Sequence, residues 1–142
     1  TFPEAPAVWR DDELAAKWEI TRRVRRAVTR ALEVERANKS IGSSLEARVE
    51  VFATPDCISA LEGIDLAEIS ITSGAAFSSG EAPDGAFSSD EDGDIRVLIS
   101  AAPGTKCARC WKVLEEVDSD PEHSHVCPRC ADAVRIHAAA AH

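Results

Sequence analysis

Lys106–Trp111 reads K-C-A-R-C-W, and Cys127–Cys130 reads C-P-R-C. Sixteen residues, 111–126, separate these two Cys-x-x-Cys pairs. Cys107, Cys110, Cys127 and Cys130 at this spacing suit one tetrahedral zinc ion, each pair sitting in a tight turn that points both sulfurs inward. The residues between the pairs are expected to form a short hairpin that brings the turns together. A lone Cys-x-x-Cys would serve equally well as a redox dithiol, and two disulfides are a further alternative. The occurrence of two pairs together favours metal. A site closed by four cysteines is structural, with no open position for catalysis.

The neighbours of the cysteines are cationic: Lys106, Arg109, Lys112 and Arg129. Four thiolates on Zn²⁺ leave a formal charge of about −2, which nearby cations offset. The same bases could contact phosphate, and the sequence leaves both roles open. Trp111 follows the second cysteine and either covers the metal site or stacks on a base. His123 and His125 lie in the intervening loop and are expected to be solvated.

The chain has 142 residues and a net charge of −9, which looks wrong for a nucleic-acid binder until it is divided. Residues 17–48 hold nine bases against four acids, whereas residues 49–105 hold one against eleven. Positive charge is thus concentrated in one stretch, and that distribution matters more for partners than the total. With four of the five cysteines at metal spacing, the composition fits a reducing, cytoplasmic setting. No apolar run has the length of a membrane span.

Pro3, Pro6 and Trp9 give an extended lead. Asp11, Asp12 and Glu13 then crowd a helix start, where they suit the helix dipole. Leu14, Trp18, Thr21, Val24, Val28, Ala31, Leu32 and Glu35 recur at helical spacing to about Asn38. Arg22, Arg26 and Arg30 lie four apart on another face. Such a row can track a phosphate backbone, or it can be a solvated face paired with Glu19 and Glu33. Gly42 is read as the helix stop. Strands are expected at about 46–53, 66–73 and 94–101, with a short helix from Pro55 to Leu61 and Cys57 as a packing residue. Residues 74–93 read as a mobile acidic loop, of which 78–93 are expected to be dispensable for tRNA binding, and a terminal helix follows Cys130. The fold class is α+β: a long N-terminal helix, a small three-stranded mixed domain and a four-cysteine finger. The divisions fall at 1–45, 46–104 and 105–142. No Gly-rich phosphate loop, Ser/His/Asp set or paired catalytic carboxylates are recognisable.

Two pieces carry a family resemblance: K-S-I-G-S-S-L-E-A-R-V at Lys39–Val49, and K-C-A-R-C-W at Lys106–Trp111. Together with the Arg-rich helix, T-S-G-A and C-P-R-C, they resemble the C-terminal end of bacterial isoleucyl-tRNA synthetase, from about Phe2 to Val134. The resemblance implies that residues 1–45 end a helical anticodon-binding domain and that the finger follows at the extreme C-terminus. It implies one zinc ion on Cys107, Cys110, Cys127 and Cys130. It also implies contact with the anticodon arm of isoleucine tRNA, for which Arg22, Arg26, Arg30, Arg109, Trp111, Lys112 and Arg129 are the candidates. The parent enzyme, a class I ligase and a monomer, would attach isoleucine to tRNA using ATP. Its catalytic body would lie upstream as this segment's partner, with no active site in these residues.

Two other readings come from different classes. Formamidopyrimidine-type DNA glycosylases end in a similar finger, whose hairpin enters the minor groove with an Arg near its tip. Here residues 111–126 hold Glu115, Glu116, Asp118, Asp120 and Glu122 and no Arg, so a phosphate backbone would repel them. A generic zinc ribbon that binds only protein would leave the arginine row and the Lys39–Val49 match without a role.

Overall fold

The computed structural model describes residues 4–89, 91 and 93–140. Its organising element is a long helix, α1, at Asp12–Ala37. The Asp11 carboxylate caps it, accepting from the Leu14 amide at 2.8 Å and satisfying one of the orphan N–H groups of the first turn. Its buried stripe is Thr21, Val24, Ala27, Val28, Ala31 and Leu32. Leu14 and Trp18, expected on the same stripe, are 49% and 38% exposed, so the apolar face is partly open toward the N-terminal end.

The helix stop is not at Gly42. Lys39 adopts the left-handed conformation with φ 61°, and the Ser40 amide returns to the Glu35 carbonyl at 3.0 Å. A helix closes this way when a residue just past its end turns left-handed. Gly42 instead braces the turn that follows, its amide donating to the Glu46 carboxylate at 2.9 Å. Ser43 caps the following single 3-10 turn through the Leu45 amide, and Ile41 is buried. The K-S-I-G-S-S-L-E run is thus a compact, self-bonded corner that turns the chain from helix into sheet.

From this corner the chain enters β1 (Ala47–Phe52), then α2 (Pro55–Ala60), α3 (Leu66–Ser70), β2 (Gly74–Ser78), β3 (Phe87–Ser88) and β4 (Arg96–Ala101). The sheet has four strands in the order β2-β1-β4-β3, one more than expected. β1 pairs parallel to β2 and antiparallel to β4, with Val49 opposite Ala75 and Ile99, and Val51 opposite Phe77 and Val97. Ala47, Val49 and Val51 face inward against α1, while Arg48 and Glu50 alternate away, as a half-buried strand requires. The buried residues of α1 join β1, β4, Cys57, Leu61 and Leu66 in one core that spans the expected division at 45/46.

The segment 66–73, expected as a strand, is instead α3 plus a turn. Asp65 accepts from the Glu68 amide at 3.0 Å, a helix cap that outweighs the alternation of Leu66, Ile69 and Ile71. Part of the expected acidic loop is also ordered: residues 74–78 and 87–88 are strands of the sheet. Gly-Ala-Ala-Phe-Ser has little strand propensity of its own and is held by pairing with β1. Asp90 and Asp92 of that loop, and Pro3 of the lead, lie outside the described residues.

A second, two-stranded sheet pairs β5 (Thr105–Lys106) with β6 (Val113–Leu114), and the chain ends in α4 (Pro128–Ala140). The hairpin encloses the first knuckle rather than linking the two. Pro128 opens α4 directly after Cys127, so Cys130 sits in its first turn. Among the described residues, no helix is long and apolar enough to cross a membrane.

Candidate metal centre and nucleic-acid interface

The fold brings all four predicted cysteines together. The Sγ atoms of Cys107, Cys110, Cys127 and Cys130 lie within 4.8 Å of one another, and no other described His, Cys, Asp or Glu joins the group. Cys110 and Cys127 are 3.9 Å apart, far beyond a disulfide bond. The edge of a tetrahedron of sulfurs about 2.3 Å from zinc is roughly 3.8 Å, so this spacing fits the ion. Cys107, Cys127 and Cys130 are buried with Val117, and Cys110, Leu114 and Val126 pack against them.

Backbone donors prepare the sulfurs for negative charge. The Cys127 amide donates to Cys107 Sγ at 3.4 Å. Burial pushes the Cys107 thiol up, but the amides of Cys110, Cys127 and Arg109 overcome it and bring it down to about 6. Burial and the neighbouring sulfurs drive Cys127 the other way, up to about 12, and burial raises Cys110 as well. One thiolate forms readily in this cage, and a full set of four needs a cation at its centre. The donor set and its geometry point to one structural zinc ion.

Two residues whose role the sequence did not reveal set how the finger joins the body: Ser73 ties it to the corner before β1, and Gly104 lets the chain enter β5 against β6. Ser73 Oγ donates to the Leu45 carbonyl and accepts from the Val113 amide at 2.7 Å, linking the helix-to-sheet corner to β6. Gly104 has φ +109°, and a Cβ there would come within 2.2 Å of the Leu114 carbonyl carbon. Only glycine lets the two backbones approach so closely. Within the finger, Arg135 of α4 pairs with Asp120, Glu122 and Asp132. Asp120 also accepts from the amides of Glu122 and His123, both at 3.0 Å. The acidic residues of this loop are therefore partly spent on holding it to α4.

The predicted nucleic-acid residues divide between two elements. Around the knuckles, Trp111 is 61% exposed, in the left-handed conformation with φ 67°. Lys106 Nζ lies 5.7 Å from its ring centroid, a cation–π distance. Lys112 and Arg129 line one shallow cavity with Cys110 and Cys127. Arg109 turns toward the metal centre, with Nη1 3.8 Å from Cys130 Sγ, which fits the charge-offset role. Arg22, Arg26 and Arg30 lie apart from these, on α1. Arg22 pairs with Glu19 at 2.7 Å and Arg30 with Glu91 at 2.8 Å, while Arg26 has no ion-pair partner among the described residues. Arg23, which was not singled out in the sequence, pairs with Asp94. His125 is solvated, its amide donating to Asp118.

Comparison with known proteins agrees with this arrangement. Residues 104–133 match the family described as "Zinc finger found in FPG and IleRS". The chain is 50% identical over 135 residues to the isoleucine–tRNA ligases of Brucella abortus biovar 1 (strain 9-941) and Bradyrhizobium diazoefficiens. It is 48% identical over the same length to that of Agrobacterium fabrum. Each match covers 94% of this chain and 14% of the relative, so the chain spans a small part of these proteins' length. From the long helix to the knuckles, the chain is therefore similar to one segment of isoleucine–tRNA ligase.

Proposed function

We propose that this chain is the zinc-bearing C-terminal segment of an isoleucine–tRNA ligase and helps to hold the anticodon arm of isoleucine tRNA. The observation that carries this reading is the aromatic and cationic face of the finger. Trp111 stands open to solvent beside Lys106, and Lys112, the next residue, lines a cavity with Arg129. An exposed Trp with flanking bases is the arrangement that stacks an unpaired base and contacts its phosphates. Single-stranded anticodon nucleotides are such bases. The similarity to isoleucine–tRNA ligases supplies the tRNA and its amino acid. Cys107, Cys110, Cys127 and Cys130 are the zinc ligands, and the ion serves to hold Trp111 in place. Arg22, Arg26 and Arg30 add phosphate contacts from α1 as the last helix of an anticodon-binding domain, residues 1–45. Residues 46–104 space the finger from that helix. Amino-acid activation belongs to an upstream body of the same monomeric, cytoplasmic ligase, and this segment carries no part of it.

The reading is tested by placing Trp111→Ala in the parent ligase and measuring isoleucine activation and tRNA charging side by side. Loss of one base stack costs about 1–3 kcal/mol, so the KM for tRNA should rise about 5-fold to 150-fold at that energy. Activation, which needs no tRNA contact, should be unchanged. A parallel fall of activation and charging would make the finger a support for the catalytic body instead.

A further inference from the structure

We propose that Glu91 and Asp94 form a built-in competitor for RNA phosphate on the arginine face of α1. The proposal rests on the reading above that this face takes phosphate. Arg23 and Arg30 are seven apart, two turns of helix, with Arg26 between them on the same side. Asp94 pairs with Arg23 and Glu91 with Arg30, across sequence separations of 71 and 61 residues. These contacts are long-range products of the fold. The β3 and β4 strands pack against α1, and Glu91 and Asp94, which lie between them in sequence, meet its arginines.

The charge distribution gives the pairing a purpose. Residues 17–48 carry a net charge of +5, and residues 49–105 carry −10. An uncovered row of arginines attracts any polyanion by Coulomb forces alone, with no regard to sequence. Carboxylates seated on that row occupy the positions where phosphates would bind. Both pairs are partly solvent-exposed, with Arg23 and Arg30 side chains 36% and 43% accessible. Exposed pairs of this kind contribute little stability and exchange readily. They therefore yield to a phosphate backbone held nearby by another contact, such as the finger, and resist one that has only charge to offer. The acidic connection, which in sequence looks dispensable for binding, becomes the element that sets selectivity.

The test uses this 142-residue chain, a tRNA transcript and poly(U), each titrated over a salt series. The variant E91Q/D94N removes the Glu91 and Asp94 carboxylates from Arg30 and Arg23. Binding of both RNAs should tighten about threefold to tenfold at low salt, the effect of releasing two exposed pairs. Each arginine that exchanges its carboxylate for a phosphate displaces counterions, so the salt slope should steepen by roughly 0.7 per phosphate gained. Poly(U) should gain more than tRNA. The control E81Q/D84N makes the same charge change on the same acidic stretch, at residues that pair with no arginine among the described residues. It should leave the slope unchanged. Equal gains from the two variants would reduce the effect to bulk charge and overturn the proposal. No gain from E91Q/D94N, with R22E/R26E/R30E still weakening tRNA binding, would overturn the competitor and leave the phosphate-binding row standing. No effect of the arginine reversal would remove the row itself, and the competitor with it. Should the double variant melt at a lower temperature, E91Q alone must still steepen the slope by about half as much.

Discussion

The body and the finger of this chain are held together by different means. Fifteen buried residues, nearly all aliphatic and drawn from α1, the sheet and the short helices, form the core of the body. Among the described residues, the finger buries only Val117, Ala131 and three cysteines. Roughly 1.5 kcal/mol of conformational entropy per ordered residue cannot be met by so small an apolar cluster, so the finger's order depends on its metal. The body has a continuous core of its own and does not. One chain thus carries a region stabilised by apolar burial next to one stabilised by coordination. Ser73 and Gly104 form the seam between them.

The largest effect that can test this contrast is loss of the metal. Structural zinc supplies about 10–16 kcal/mol of apparent binding energy in comparable fingers at neutral pH. Chelation, or Cys127→Ser, should abolish hydrogen-exchange protection from Lys106 onward while the amides of α1 and β1 stay protected. Metal analysis of the native chain should give one zinc per chain, and X-ray absorption should show four sulfurs. If α1 loses protection together with the finger, the two regions form a single cooperative unit and the contrast fails.

The reciprocal experiment acts on the body. Leu61 is among the largest fully buried side chains and belongs to the core cluster that includes residues of β1 and α1. Leu61→Ala should cost about 2–5 kcal/mol of global stability by loss of transfer energy and creation of a cavity. Zinc affinity of the folded protein should change by less than about threefold, since changes at sites with no shared partners are nearly independent. A large drop in zinc affinity would place the two cores in one network.

The seam should respond in both regions at once. Gly104→Ala forces a Cβ into the Leu114 backbone at a φ that side chains avoid. The strain should cost about 1–3 kcal/mol. Its signature is a coupled change: weaker zinc binding and faster exchange at the Val113 amide, which Ser73 holds. Ser73→Ala should give a milder version, about 0.5–1.5 kcal/mol for the loss of one part-buried hydrogen bond. If Gly104→Ala leaves both measurements unchanged, the finger swings freely on the sheet and the seam is not a fixed joint.

What could be read from the chain beforehand follows the range of the interactions. The metal centre was legible because its ligands come as two local pairs, whose chemistry is fixed by residue type and spacing. The helix start at Asp11 and the alternation in β1 were legible for the same reason. Lys39 was missed as the helix stop because nothing in its side chain marks a left-handed residue, and Gly42 nearby offered a more familiar signal. β2 was hidden because Gly74–Ser78 has no β-branched residue, and its order comes from pairing with a strand more than twenty residues away. Nothing near Glu91 and Asp94 in the chain marks their arginine partners, which lie 61 and 71 residues away in sequence. Short-range chemistry was visible in the sequence; contacts made only by tertiary packing were not.

The smallest expected effect concerns how the finger's acidic loop is held. Arg135 donates to Asp120 and keeps its carboxyl below the ordinary value of 3.8, helped by the amides of Glu122 and His123. A carboxyl whose value is lower in the folded state contributes its stabilisation above the unfolded value, and that contribution is lost as pH falls through the folded one. Asp120 is ionised throughout the range from about pH 6 to 8. Its contribution should therefore be constant there and decline only in the acid range, where protonation of the thiols also releases zinc. Asp120→Ala should speed exchange of the Glu122 and His123 amides severalfold at neutral pH, with the ratio to the unaltered chain flat from about pH 6 to 8. The metal centre should stay loaded, because the loop is tied to α4 independently of the sulfurs. A ratio that instead varies between about pH 6 and 8 would assign the loop's order to a group other than Asp120 and would make the Arg135 network secondary.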